Sequence, residues 1–188
     1  GYKSTAFLTL ATRTDWVSNL TQENRSITYP SASISFLPSK AFEFIQESEF
    51  VNFLKLRAGY GTSASFPTGY PVASTLLLDT QSFNTDQGVD IVTNTTSSIL
   101  GNPDLKPERL DELEFGLEGS FLDNRITVDL SVYSRITKDL IVDRPLDPAT
   151  GFDITQTNIG EIENDGIELD LTLDLVRNEG DGFNWSTN

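Results

Sequence analysis

The chain has 188 residues and a formal net charge of −15, from 28 acidic and 13 basic side chains. It holds neither cysteine nor histidine, which excludes disulfides, thiolate metal sites, Ser-His-Asp triads and Cys-His pairs, and no cofactor is expected. The negative balance repels phosphate backbones, so nucleic acid is not expected as a partner, nor is docking on anionic lipid through a basic patch.

With 37% hydrophobic residues the chain is too apolar to be disordered. No apolar run approaches the roughly 20 residues that a membrane helix needs. The opening Gly1-Tyr2-Lys3 is no signal peptide, so an internal piece of a longer protein is expected.

The recurring signal is period two, which marks strands with two different faces. Leu8 and Leu10 suggest a first strand, followed by a polar loop over about 15–28. Ile34 and Phe36, set between serines after Tyr29-Pro30, mark a second. A connection over about 38–52 comes next, with one helical turn expected at Glu47-Ser48-Glu49-Phe50. Leu54, Leu56, Ala58 and Tyr60 then alternate with Lys55, Arg57, Gly59 and Gly61. A long loop rich in Thr, Ser, Asn, Gly and Pro occupies about 62–108.

Beyond Pro107 the alternation is clearest. Leu113, Phe115, Leu117, Gly119 and Phe121 share one face, and Glu112, Glu114, Glu118 and Ser120 the other. Leu122-Asp123-Asn124-Arg125 reads as a tight turn, because Asp and Asn tolerate left-handed backbone. Ile126, Val128, Leu130, Val132 and Ile136 then oppose Thr127, Asp129, Ser131, Tyr133 and Arg135. After a medium loop over about 143–155, Ile167, Leu169, Leu171, Leu173 and Leu175 alternate with Glu168, Asp170, Thr172 and Asp174. A short turn over 178–182 leads to a last strand opened by Phe183 and Trp185.

The fold class is therefore all-β, with about seven antiparallel up-and-down strands of roughly 8 to 14 residues. A lipid-crossing strand needs about 9 to 11 residues, whereas the mean globular strand has about 5 to 6. Long loops on one side and short turns on the other fit a transmembrane barrel. Tyr60, Tyr133, Phe121, Phe183 and Trp185 lie near strand ends, where interfacial aromatic girdles occur. Period two alone leaves open a soluble acidic β-sandwich that binds glycans or acts as an adhesin, and also a secretion-type barrel. About seven strands are too few to close a bacterial barrel, so these residues are expected to be one segment of a larger wall.

Two stretches carry a resemblance. Gly101-Asn102-Pro103-Asp104-Leu105-Lys106-Pro107-Glu108, followed by Leu113-Glu114-Phe115-Gly116-Leu117-Glu118, resembles a signature of TonB-dependent outer-membrane receptors. Asn158-Ile159-Gly160, with Asn164-Asp165-Gly166-Ile167-Glu168-Leu169 and the later Phe183-Asn184-Trp185, is similar to the SusC/RagA-like branch found in Bacteroidetes. The resemblance implies a barrel of about 22 strands, importing an oligosaccharide or peptide with TonB and a SusD-like surface lipoprotein. It also implies a plug domain and a terminal aromatic strand, neither of which is visible in residues 1–188. Beside this stands a physical reading: Asn-Pro and Lys-Pro fix backbone angles and pin the register of the strand that follows. Asn102, Pro103, Leu105, Pro107, Glu108, Asn158, Gly160, Asn164, Gly166 and Glu168 are accordingly assigned a structural role.

Within the 62–108 loop, Phe66, Tyr70, Phe83 and Asp90 are the candidate substrate contacts. The plainer reading is that they pack against other loops or a partner. Asp143, Asp147 and Asp153, or Asp79 and Asp86, supply oxygen ligands for calcium in one reading, but none has EF-hand spacing and no metal is assigned. Glu114, Glu118, Asp129, Glu168 and Asp170 are of the residue type that glycosidases use as catalytic pairs. On a barrel wall they more simply line an aqueous interior and pair with Arg125, Arg135 or plug residues, so no enzyme is expected.

Overall fold

The computed structural model describes residues 1–84, 90–177 and 183–188, with side chains described outside 79–93. Long alternating segments became long strands. They are β1 (Ala6–Trp16), β2 (Ser26–Phe36), β3 (Val51–Ser65), β4 (Leu76–Asn84), β5 (Asp90–Thr96), β6 (Ile99–Leu100), β7 (Glu108–Phe121), β8 (Ile126–Lys138), β9 (Ile141–Pro145), β10 (Ile154–Asn158), β11 (Glu161–Val176) and β12 (Trp185–Thr187). Two helical turns, α1 (Pro38–Ala41) and α2 (Glu43–Gln46), join β2 to β3.

Seven strands form one antiparallel sheet in the order β1-β2-β3-β7-β8-β11-β12. β6, β10 and β9 form a second sheet, and β4 and β5 a third. β3, β7, β8 and β11 have 15, 14, 13 and 16 residues, long enough to cross a bilayer at a tilt. β7 and β8 are joined at Leu122, Asp123 and Asn124, all left-handed with φ of 53°, 56° and 61°. Asn52 braces this turn, its Oδ1 accepting from the Asn124 amide at 3.1 Å.

Register decides the faces, because directly opposed residues project to the same side of a sheet. One row runs Leu8, Ile34, Ala58, Phe115, Val132 and Ile167. The next runs Phe36, Leu56, Leu117, Leu130 and Leu169. On the opposite face lie Lys55, Glu118, Asp129 and Asp170 in one row, and Ser35, Arg57, Gly116, Ser131 and Glu168 in another.

Among the described residues no second sheet covers the apolar face. Phe115 is 55% exposed, Ile167 73% and Leu169 64%. A sandwich would bury these side chains and gain about 25 cal/mol for each Å² of apolar area removed from water. Among the described residues only Leu20, Leu37 and Leu105 are buried hydrophobics. None of the three lies within a strand of the main sheet.

Four local expectations are corrected. Helix forms at Pro38–Ala41 and Glu43–Gln46 instead of at Glu47–Phe50, because Pro38 supplies the preset φ of a first helical turn. Ser48 Oγ instead accepts from the Phe50 and Val51 amides at 3.2 and 3.3 Å, turning the chain into β3. The 62–108 segment is not irregular throughout: β3 extends to Ser65, and the β4–β5 hairpin and β6 follow. The 143–155 segment likewise belongs mostly to β9, a 3-10 turn at Pro148–Thr150 and β10. Finally, Tyr133 is no lipid-facing girdle residue. It shares the charged face with Glu114 and Gly166, and Arg135 lies 5.5 Å from its ring centroid.

Candidate functional site

The charged face centres on Arg57. Its Nε donates to Glu114 Oε1 at 3.2 Å and its Nη1 to Glu118 Oε1 at 2.8 Å. Nη2 donates to Asp129 Oδ1 at 2.9 Å and also to Ser131 Oγ. Lys55 Nζ adds a second cation on Glu118 at 2.9 Å. One guanidinium thus ties β3 to β7 and β8, using the forked donor geometry that lysine lacks. Gly116 makes this possible, since a Cβ there would fall on the Arg57 side chain.

Sequence reasoning named Arg125 and Arg135 as partners for Glu114, Glu118, Asp129, Glu168 and Asp170. The pairing is different. Arg57 and Lys55 serve the first three, while Arg135 Nε donates to Glu112 Oε2 at 2.9 Å. Arg125 forms no ion pair among the described residues, and neither do Glu168 and Asp170. The missed signal was charge sign: the polar face of β3 is basic and that of β7 acidic, which favours them as neighbours.

Further along, Tyr133 lies across Gly166. A Cβ at Gly166 would meet the tyrosine ring. Asn164 is opposite Arg135, and Glu168 opposite Ser131, on the same charged face. Gly160 sits just ahead of β11 at φ 108°, a region that favours glycine.

Above this face the loops converge on the Asn102–Glu108 stretch. Asn102 Nδ2 donates to the Gln156 carbonyl at 2.8 Å, and its Oδ1 accepts from the Asp104 amide at 3.0 Å. Asn158 mirrors it, with Oδ1 accepting from the Lys106 amide at 2.8 Å and Nδ2 donating to the carbonyls of Lys106 and Asp139 at 2.9 and 2.7 Å. Glu108 Oε1 accepts from the Ile141 amide at 2.8 Å. Thr21 Oγ1 donates to the Pro103 carbonyl and Asn24 Nδ2 to that of Asp104. Leu105 is 0% exposed within this clamp, and Pro107 is buried beside it. Segments near residues 20, 70, 104, 140 and 157 are thereby held as one body.

Two of the candidate substrate contacts have described side chains. Phe66 is half-buried just past β3, and Tyr70 is 65% exposed. The side chains of Phe83 and Asp90 lie outside the described residues, as do those of Asp79 and Asp86. Asp147 Oδ1 accepts from the Ala149 amide at 2.8 Å and Asp143 Oδ1 from Gln156 at 3.1 Å, so both carboxylates shape the loop. Asp153 joins through its backbone amide to Ser98 O. Among the described residues no group of three or more such side chains is placed to hold a metal ion.

A family model described as "TonB dependent receptor-like, beta-barrel" matches residues 5–188. TonB-dependent receptor P26 of Formosa agariphila is 33% identical over 186 residues, covering 99% of this chain and 18% of that protein. TonB-dependent receptor SusC of Bacteroides thetaiotaomicron is 29% identical over 165 residues, covering 87% of this chain and 16% of that protein. The RagAB peptide importer in its "closed-closed" state superposes with a TM-score of 0.82 at 28% identity, over 95% of this chain and 19% of that one. The siderophore receptor PirA from Pseudomonas aeruginosa shares the fold, with a TM-score of 0.59 at 20% identity over 98% of this chain and 30% of that one. The chain thus spans less than a fifth of the length of these curated relatives.

Proposed function

This chain belongs to the TonB dependent receptor-like β-barrel family, and we propose that it forms one section of wall, with its outer loops, in a receptor that imports oligosaccharide or peptide across a bacterial outer membrane. One observation supports it above the others: a continuous apolar face, open to its surroundings, backed by an ion-paired polar face. The apolar face meets lipid, and the polar face lines the lumen. Closure of the barrel, the plug and the TonB contact belong to the rest of the receptor, and so does most of any seat for a SusD-like lipoprotein.

Within this proposal the loop clamp is scaffold. Asn102, Pro103, Leu105, Pro107, Glu108 and Asn158 hold the outer loops at a fixed height over the wall. Gly160, Asn164, Gly166 and Glu168 set the entry and inner face of β11. Phe66, Tyr70, Phe83 and Asp90 are the proposed contacts with substrate. The inner carboxylates keep the lumen wet and tie strands together, and no acid-base chemistry is assigned to them.

The test uses the full receptor in a strain lacking its native copy. Uptake of labelled oligosaccharides and peptides is measured for the parent and for a Phe66→Ala, Tyr70→Ala double variant. Loss of uptake with intact surface display and a normal heat-dependent gel shift supports the proposal. Unchanged uptake removes those two residues from it. A receptor that fractionates as a detergent-independent soluble protein would overturn the wall itself.

A further inference from the structure

The connection between β2 and β3 carries more aromatic surface than a turn requires. Phe36 closes the outward apolar row of β2, opposite Leu56. Phe42 meets its ring edge-on at 6.1 Å, and Phe44 lies 5.6 Å beyond Phe42. Phe50 packs at 5.5 Å on Phe121, the residue that ends the outward row of β7. A ladder of rings therefore continues the lipid-facing surface past the strand ends, on the side where the β7–β8 connection is a tight turn.

Beyond these ring contacts, the described residues leave the rings largely open. Phe42, Phe44 and Phe50 are all exposed, Phe44 at 73%. They are also held in place. Ser39 Oγ donates to the Leu54 carbonyl at 3.1 Å and Gln46 Nε2 to that of Lys40 at 2.9 Å. Leu37 and Pro38 already fill the buried underside of the turn, so the rings cannot fold inward. The other exposed positions are small, polar or charged: Lys40, Ala41, Glu43, Gln46, Glu47 and Glu49. Such a mixture of exposed rings with polar and charged neighbours suits the boundary between acyl chains and headgroups.

We infer, on the footing that the apolar face meets lipid, that α1 and α2 form an interfacial foot, with Phe42, Phe44 and Phe50 seated in the boundary of the leaflet on the short-turn side. The foot fixes the height of β2 and β3 in the bilayer where no strand residue remains to do so. Its occupant is phospholipid, contacted through acyl carbon.

The experiment is spin labelling of the full receptor in phospholipid vesicles, with nitroxides placed singly through Phe44→Cys, Phe115→Cys and Glu47→Cys. Oxygen concentrates in hydrocarbon and a neutral nickel chelate in water, so the ratio of the two relaxation effects reports depth. At Phe44 the expected ratio lies several-fold above that at Glu47 and approaches that at Phe115. A Phe44 ratio equal to that of Glu47, with Phe115 high, overturns the foot and leaves the lipid-facing wall standing. Low ratios at both Phe44 and Phe115 overturn the wall as well. A gel shift on heating verifies folding, and Phe42→Cys reads the same depth where Phe44→Cys does not fold.

Discussion

Arg57 concentrates what single residues do in this protein. Three carboxylates from two strands converge on it, and its side chain is only 27% exposed. Its removal leaves Glu114, Glu118 and Asp129 facing one another with Lys55 as the remaining close cation. Arg57→Ala is therefore expected to destabilise the folded receptor by about 1–3 kcal/mol, and Arg57→Lys to recover only part, since an ammonium cannot fork. The midpoint of denaturant unfolding in detergent measures both. Equal midpoints for Arg57→Lys and the parent would show that charge alone suffices. Asn158 is the counterpart in the loops. Asn158→Leu removes three hydrogen bonds and is expected to loosen the clamp by about 1–3 kcal/mol, seen as faster protease nicking between residues 139 and 160. An unchanged nicking rate would remove Asn158 from the clamp. Individual partners of this kind were hard to read from sequence. Arg57 and Glu114 are far apart along the chain, and only the register of β3 on β7 brings them together. The Asn-Pro stretch was legible as a rigid strand entry because proline fixes φ wherever it stands. The carbonyls that Asn102 and Asn158 reach come from other loops, which no local pattern reveals.

At the scale of elements, alternation carried most of the information. β7, β8 and β11 were visible because each position's polarity tracked its face. The β4–β5 hairpin was not, because Leu76-Leu77-Leu78 does not alternate and lies among turn-forming residues. The start of β11 was hidden too, since Glu161, Glu163 and Asp165 put charge on the outward face near the rim, where that side is no longer hydrocarbon. Adjacent residues of one strand give the sharpest test of the two faces. Leu169→Arg places charge toward lipid and is expected to lose about 2–4 kcal/mol of folding stability near the bilayer midplane. Glu168→Arg, on the lumen side of the same strand, is expected to change it by less than about 1 kcal/mol. Folding titrations into phospholipid vesicles compare them, and equal losses would contradict the assignment of faces. A second test lies at Gly119, where an added Cβ would come within 2.8 Å of the Phe121 ring. Gly119→Ala is expected to push that ring off its seat and slow vesicle insertion, while Gly61→Ala, with nothing within 4 Å, leaves it unchanged.

For the whole molecule, the main sheet ends at β1 on one side and β12 on the other. Among the described residues neither edge strand has a further strand partner, and no second sheet covers the apolar face. Isolated strand edges recruit further strands, and uncovered apolar area of this extent drives association. The 188 residues expressed alone are expected to elute as aggregates unless detergent is present, as size-exclusion chromatography would record. A monodisperse, cooperatively melting monomer in plain buffer would contradict the wall.

The β4 and β5 strands hydrogen-bond to each other and to no other strand among the described residues, in contrast to the braced segments around Asn102. Mutations there perturb no neighbouring ladder. This arm is thus expected to drift in sequence while the scaffold beneath it stays under constraint, so residues 76–96 should diverge first between related chains.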